Sequence, residues 1–372
     1  MTRLFGTPRV VSTPIIPDRR ILQRHLDRIF DTGRFSNDGP LVRELESRIA
    51  ERLGASECVL VANATLGLQL LIAALGLSGE VLVPSFTFVA TPNVVRWQGL
   101  KPVFCDIDAR THNLDPQACE QAIGSETSAI LGVHLWGRGC DPEAFQSLAG
   151  RHGLHLFFDA AHGFDCWSEG HRLGQYGEAE VFSFHATKSF HCGEGGAITT
   201  RSAELARELR MRRNFGFTGY DRISTIGINA KLPELSAALG LANLETYDES
   251  VNASKETHRV YTGELERRLD IRPIQYAEHN HCHYVVVEWP SDRFAVSRDT
   301  LVDSLHGENV IARRYFYPGC HRMTPYAGES GRMDLGQTEE LCARTLVLPA
   351  GALIEKADVA TICEFIERLA DG

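Results

Sequence analysis

The chain has 372 residues, 43% of them hydrophobic and 23% charged, with a formal net charge of −10. This is globular composition, and the acidic balance disfavours general nucleic-acid binding because nothing offsets phosphate repulsion. No apolar run reaches the roughly 20 residues of a membrane-spanning helix, and residues 1–17 lack the charged-then-apolar pattern of a secretory leader. A cytoplasmic enzyme of about two domains is expected, with no nucleic-acid or membrane partner. None of the ten cysteines forms a Cys-x-x-Cys pair, so they read as small buried hydrophobes.

Taken along the chain, the first 250 residues alternate apolar strands with helical stretches. Strands are predicted over 80–83, 102–106, 129–134, 155–159, 180–184 and 197–200. Helices are predicted over 65–75, 90–97, 116–122, 142–151 and 203–213. Such alternation implies an α/β fold with a mostly parallel sheet between helices, whose ligands bind beyond the carboxyl ends of the strands. A long helix is predicted from 233 through 268, interrupted near Asn252. A strand over 283–289 and helices over 298–306 and 355–369 follow. The boundary region is 247–253. It divides a large domain, 1–250, from a smaller α+β domain, 251–372.

Three elements carry chemistry. Ser183-Phe184-His185-Ala186-Thr187-Lys188 follows an apolar strand, and Gly193-Glu194-Gly195-Gly196 comes just after it. An amine at that strand mouth, if its pKa is lowered, can form a Schiff base with an aldehyde cofactor; a solvated surface lysine is the alternative. The apolar strand 154–159 ends in Asp159, a charge that is costly unless paired. A pyridinium nitrogen would suit it, and so would a helix N-cap or a buried ion pair. Asn63-Ala64-Thr65 opens an amphipathic helix, where backbone amides and the Thr65 hydroxyl make an anion site or a plain cap.

These elements run in the order anion site, carboxylate, lysine. With Val83-Pro84-Ser85-Phe86-Thr87-Phe88-Val89-Ala90-Thr91, Val133-His134-Leu135-Trp136-Gly137, Asp159-Ala160-Ala161-His162 and Arg213-Asn214-Phe215-Gly216, the chain resembles the DegT/StrS sugar aminotransferases from about residue 40 to its end. These are fold-type I pyridoxal-phosphate (PLP) enzymes. The resemblance implies that Lys188 carries the cofactor and that Asp159 binds its pyridine nitrogen. It implies that Ala64, Thr65 and Ser183 hold the phosphate and that Phe88 stacks on the ring. Asn229 would reach the phosphate of a neighbouring subunit, giving a homodimer with shared active sites.

His162 stands where the family usually has glutamine; it would bond the cofactor's phenolic oxygen. Phe215 replaces a common histidine and, with Arg314-Tyr315-Phe316-Tyr317-Pro318, resembles a subgroup acting on nucleotide-linked 4-keto hexoses. Arg213, Arg314, Tyr317 and His321 are substrate candidates. The family's dehydratases replace the lysine with histidine, so Lys188 favours transamination. An amino acid such as L-glutamate would donate its amino group, through pyridoxamine phosphate, to a nucleotide-linked keto sugar, with a 4-keto-6-deoxyhexose preferred. A 3-keto sugar, a cyclitol or another keto substrate is the alternative, as is a non-catalytic PLP-binding regulator. His279, His281 and His283 alternate as metal ligands on a strand face would, but this region resembles a histidine-bearing strand of the family, and no metal is expected.

Overall fold

A computed structural model describes residues 3–328, 334–351 and 353–371. Its strands begin with β1 (Arg9–Val10), β2 (Glu57–Val61), β3 (Glu80–Pro84), β4 (Lys101–Cys105), β5 (Thr127–Val133) and β6 (His155–Asp159). A hairpin, β7 (Trp167–Ser168) and β8 (His171–Arg172), precedes β9 (Ala179–Ser183) and β10 (Gly196–Thr200). A second hairpin, β11 (Phe217–Gly219) and β12 (Arg222–Ile223), is followed by β13 (Val285–Glu288), β14 (Val310–Ile311) and β15 (Thr345–Leu348).

Seven strands form the central sheet in the order β2-β10-β9-β6-β5-β3-β4. All neighbours are parallel except those of β10, which runs against both β2 and β9. The strands are apolar on both faces because helices cover both faces. Alternate residues feed opposite sides: Val59, Val181 and Ile198 pack under the helix Ala64–Leu75, whereas Leu60, Phe182 and Ala197 pack with Leu41 and Leu45 of the helix Pro40–Leu53. The six strands predicted between 80 and 200 are therefore β3, β4, β5, β6, β9 and β10, each within a few residues of its expected bounds.

Two helices were not anticipated, Arg19–Thr32 and Pro40–Leu53. The second depends on a contact distant in sequence. The buried carboxylate of Glu234 accepts from the amides of Leu41 at 3.0 Å and Val42 at 2.9 Å, sealing the helix N-terminus with a negative charge. The long helix expected from 233 is two helices, Glu234–Glu245 and Tyr247–Leu269, and the break falls at Thr246 rather than near Asn252.

The C-terminal half packs Tyr247–Leu269 and Lys356–Asp371 around the antiparallel pair β13–β15. The expected division at 250 cuts through the first of these helices. The N-terminal segment joins this half: Phe5 lies in its core, β1 pairs in parallel with β14, and Arg9 bonds Asp358 at 2.8 Å. A contiguous 1–250 domain thus omits the strand pairing that carries the chain's start to the C-terminal half. Among the described residues no helix is long and apolar enough to cross a membrane.

Gly196 opens β10 where three backbones meet. A Cβ there would stand 2.8 Å from the Ala64 nitrogen, 2.8 Å from the Phe182 carbonyl oxygen and 2.9 Å from the Asn63 carbonyl carbon. Backbone atoms cannot swing aside as a side chain does. Gly196→Ala is therefore expected to destabilise the fold by about 1–3 kcal/mol, read from the denaturant midpoint; an unchanged midpoint would show that the contact relaxes freely.

Candidate active site

The carboxyl ends of β2, β3, β5, β6 and β9 open onto one cavity of about 1200 Å³. Ala64, Thr65, Phe88, Asp159, His162, Ser183, Lys188 and Asn229 all line it. The cavity gathers residues spread over most of the large sheet because parallel strands end on the same side.

Lys188 lies five residues beyond the end of β9 and is partly buried. Among the described residues its amine has no hydrogen-bond or ion-pair partner. Burial pushes its pKa down to about 8, and the attraction of Asp159 only partly opposes this. Roughly a tenth of the amine is thus unprotonated at pH 7, several hundred times the share of an ordinary lysine, and the unprotonated form is the nucleophile.

Asp159 closes β6 and is only 5% exposed. Its Oδ1 accepts from the Ala161 amide at 3.1 Å and its Oδ2 from the Thr91 hydroxyl at 2.8 Å. Thr91 has one hydrogen and gives it to Asp159, so Thr87, 3.0 Å away, donates to Thr91. Burial raises the Asp159 pKa despite these bonds and the nearby lysine. A cation within reach would relieve that strain on the charged form.

The helix Ala64–Leu75 begins directly after β2. Asn63 caps it, its side chain accepting from the Leu66 amide at 2.9 Å. The first-turn amides of Ala64 and Thr65 have no acceptor within the helix and favour an anion. Ser183 ends β9 beside Gly196, which is paired with both Ser183 and Val61, so this hydroxyl stands next to the helix terminus. Phe88 presents an exposed ring to the same cavity. A desolvated amine, a buried carboxylate, an anion-binding terminus and a flat apolar face fit the aldehyde, pyridine nitrogen, phosphate and ring of PLP.

His162 is held by the Trp136 amide, which donates to its Nδ1 at 3.3 Å. Its Nε2 therefore carries the hydrogen. Burial, with Lys188, His281 and His283 nearby, holds its pKa well below the ordinary histidine value. The imidazole is a neutral donor, as the usual glutamine amide would be.

The four substrate candidates lie elsewhere. Arg213 is buried, with Nη1 on Glu46 at 2.7 Å and the Leu60 carbonyl at 2.6 Å, and Nη2 on Asp38 at 3.2 Å. Arg314 turns to Asp299 and Asp303. Tyr317 lies under Arg298. His321 is buried between Ser85, at 2.6 Å, and Glu339, at 3.3 Å. None of the four is among the cavity's lining residues. Arg313 is, together with Ile311 and Tyr315. Extended chain explains the difference of one residue: Val310 and Ala312 point into the C-terminal core, so 311 and 313 face the opposite way. That alternation was readable beforehand. The role of Thr91 was not, although its motif was noted.

The site and sheet together define a PLP-dependent aminotransferase. The model of the DegT/DnrJ/EryC1/StrS aminotransferase family matches residues 18–367, and the chain belongs to that family. It is 35% identical over 349 residues to the dTDP-4-amino-4,6-dideoxy-D-glucose transaminase of Shigella dysenteriae, covering 93% of this chain and 94% of that one. It is 31% identical to the GDP-perosamine synthase of Caulobacter vibrioides, covering 91% and 92%. The structure of DesI, solved in the presence of its TDP-sugar product, superposes with a TM-score of 0.95 at 42% identity, over 99% of this chain and 94% of DesI.

Two predictions follow from the geometry. On the reading that Lys188 carries the cofactor, its free amine is the reacting form, so PLP uptake by cofactor-free protein should quicken as pH rises and level off above about 8. Visible absorbance reads this; a pH-independent rate would contradict the assignment. Asp159→Asn removes one charge-assisted bond worth roughly 1.5–3 kcal/mol, so PLP affinity should fall roughly 10- to 100-fold in equilibrium titration.

Proposed function

We propose that the protein moves an amino group from L-glutamate to a nucleotide-linked 4-keto-6-deoxyhexose. The observation that carries this reading is the convergence of the free Lys188 amine, Asp159 and the Ala64–Thr65 helix terminus on one cavity. The likeness to the Shigella transaminase and to DesI supports the choice of sugar.

Bound PLP supplies an electron-withdrawing ring that makes the donor's α-proton acidic. Lys188 would hold the cofactor through its amine. The same amine, with its pKa lowered to about 8, would take the proton from the donor's α-carbon and deliver one to the sugar carbon. Asp159 would hold a proton on the pyridine nitrogen, and Thr91 and the Ala161 amide, which donate to its carboxylate, would keep it aimed. His162 would donate from Nε2 to the phenolic oxygen. The Ala64 and Thr65 amides and Ser183 would take the phosphate. Phe88 would cover the ring. Arg313, the one arginine among the described lining residues, receives the donor carboxylate or the nucleotide diphosphate.

The proposal includes a cytoplasmic homodimer. Trp97 is 81% and Ile228 is 38% exposed at the cavity, and Phe217, Ile223 and Ile226 extend an apolar surface along the β11–β12 hairpin. A patch of that kind marks a protein contact. Exposed Asn229 stands at its edge, in position to serve either its own cavity or a neighbour's.

The test is the visible absorbance of the PLP-loaded protein. L-glutamate should abolish the band of the lysine-bound cofactor, and a nucleotide-linked 4-keto-6-deoxyhexose should restore it with formation of the amino sugar. A band indifferent to glutamate would refute the donor; a band that only other keto compounds restore would refute the sugar.

A further inference from the structure

The histidine-rich segment 279–284 has no place in the reaction derived so far. Its alternation suggested one strand face, but β13 begins only at Val285 and Cys282 adopts a left-handed backbone with φ 50°. No group of potential metal ligands forms among the described residues. His279 is exposed, against the Trp167 ring. Asn280, His281 and His283 are buried, and each faces a backbone carbonyl. Asn280 Nδ2 donates to the Gly137 oxygen at 2.8 Å. His281 Nε2 lies 2.8 Å from the His162 oxygen. His283 Nε2 lies 3.1 Å from the Thr187 oxygen.

Those carbonyls belong to three loops, which leave β5, β6 and β9. The loops carry the Trp136 amide that orients His162, His162 itself, and Lys188. A carbonyl oxygen only accepts, so both Nε2 atoms must carry hydrogen. The His283 amide donates to His281 Nδ1 at 3.0 Å, which fixes that nitrogen as the bare one. Burial pushes the two histidines down to about 3 and about 4, so both stay neutral. Ser12, from the opposite end of the chain, places a second donor on the Thr187 oxygen at 2.6 Å, and its Oγ lies 2.9 Å from His283 Nε2. The residue directly before Lys188 is thus gripped by the N-terminal segment and by the C-terminal half.

We propose that Asn280, His281 and His283 form a clasp of three donors that positions the catalytic loops, and that His283 with Ser12 sets the backbone on which Lys188 stands. They are positioning residues, acting through Lys188 and His162. The inference rests on Lys188 as the cofactor-bearing amine. Its force comes from geometry: a displacement of about 1 Å at a reacting group can cost roughly 10²-fold in rate.

The experiment compares holoenzyme of wild type, His283→Ala and His283→Gln. A glutamine amide reaches about as far as imidazole Nε2 and also donates. Steady-state kinetics are measured together with the pH titration of the bound cofactor's visible band. His283→Ala should lower kcat by roughly 10- to 100-fold with little change in KM, and should shift the titration of the band. His283→Gln should restore both. If His283→Ala fails to fold, Ser12→Ala, which removes the other donor to the same carbonyl, should shift the band in the same direction. Wild-type kinetics and titration in both His283→Ala and Ser12→Ala would overturn the clasp. So would a glutamine variant as impaired as the alanine variant with the same loss of thermal stability, since packing would then explain the residue. A wild type without the band would instead strike the Lys188 assignment itself, and the clasp's role with it.

Discussion

The site depends on holding one partly buried amine near one buried carboxylate without letting them pair. Lys188 loses solvation and its pKa falls to about 8; the charge of Asp159 opposes this and is outweighed. Asp159 suffers the reverse, rising through burial although Thr91 and the Ala161 amide both donate to it. A direct salt bridge would satisfy both groups and leave neither reactive. The sheet prevents it by ending β6 in Asp159 and carrying Lys188 on the longer loop after β9, so that a ligand can lie between them. Around that arrangement the remaining parts have defined tasks. The capped helix terminus offers amides, Gly196 lets that terminus sit close, and the Trp136 amide fixes the tautomer of His162.

Much of this was legible in the sequence, for a physical reason. Strands buried on both faces read as unbroken apolar runs, and a polar residue at the end of such a run stands out. Asp159, Ser183 and the Asn63-Ala64-Thr65 terminus are all of this kind. The helix Pro40–Leu53 was less legible because its start is secured by Glu234, almost two hundred residues later. The substrate candidates show a second limit. Arg213 lies within a recognisable motif, but its charge is matched by Glu46 and Asp38 beside the edge strand β2. Arg314 and Arg313 are neighbours that extended backbone sends in opposite directions.

The contacts least visible in sequence are those from side chains to carbonyls. Nothing in the local pattern of Asn280-His281-Cys282-His283 indicates that its partners are the oxygens of Gly137, His162 and Thr187. Alternating histidines can suggest a metal, but here His281 and His283 each give the Nε2–H to a backbone oxygen. These bonds join the C-terminal half and the N-terminal segment to the loops of the large sheet, so the loop that carries Lys188 is supported from both.

The most direct measurement of the central claim is borohydride reduction of the PLP-loaded protein, followed by peptide mapping by mass spectrometry. Reduction makes the lysine–cofactor link permanent. The account predicts one modified peptide, with the added mass on Lys188. Modification of a different lysine, or none in protein shown to hold PLP, would contradict it.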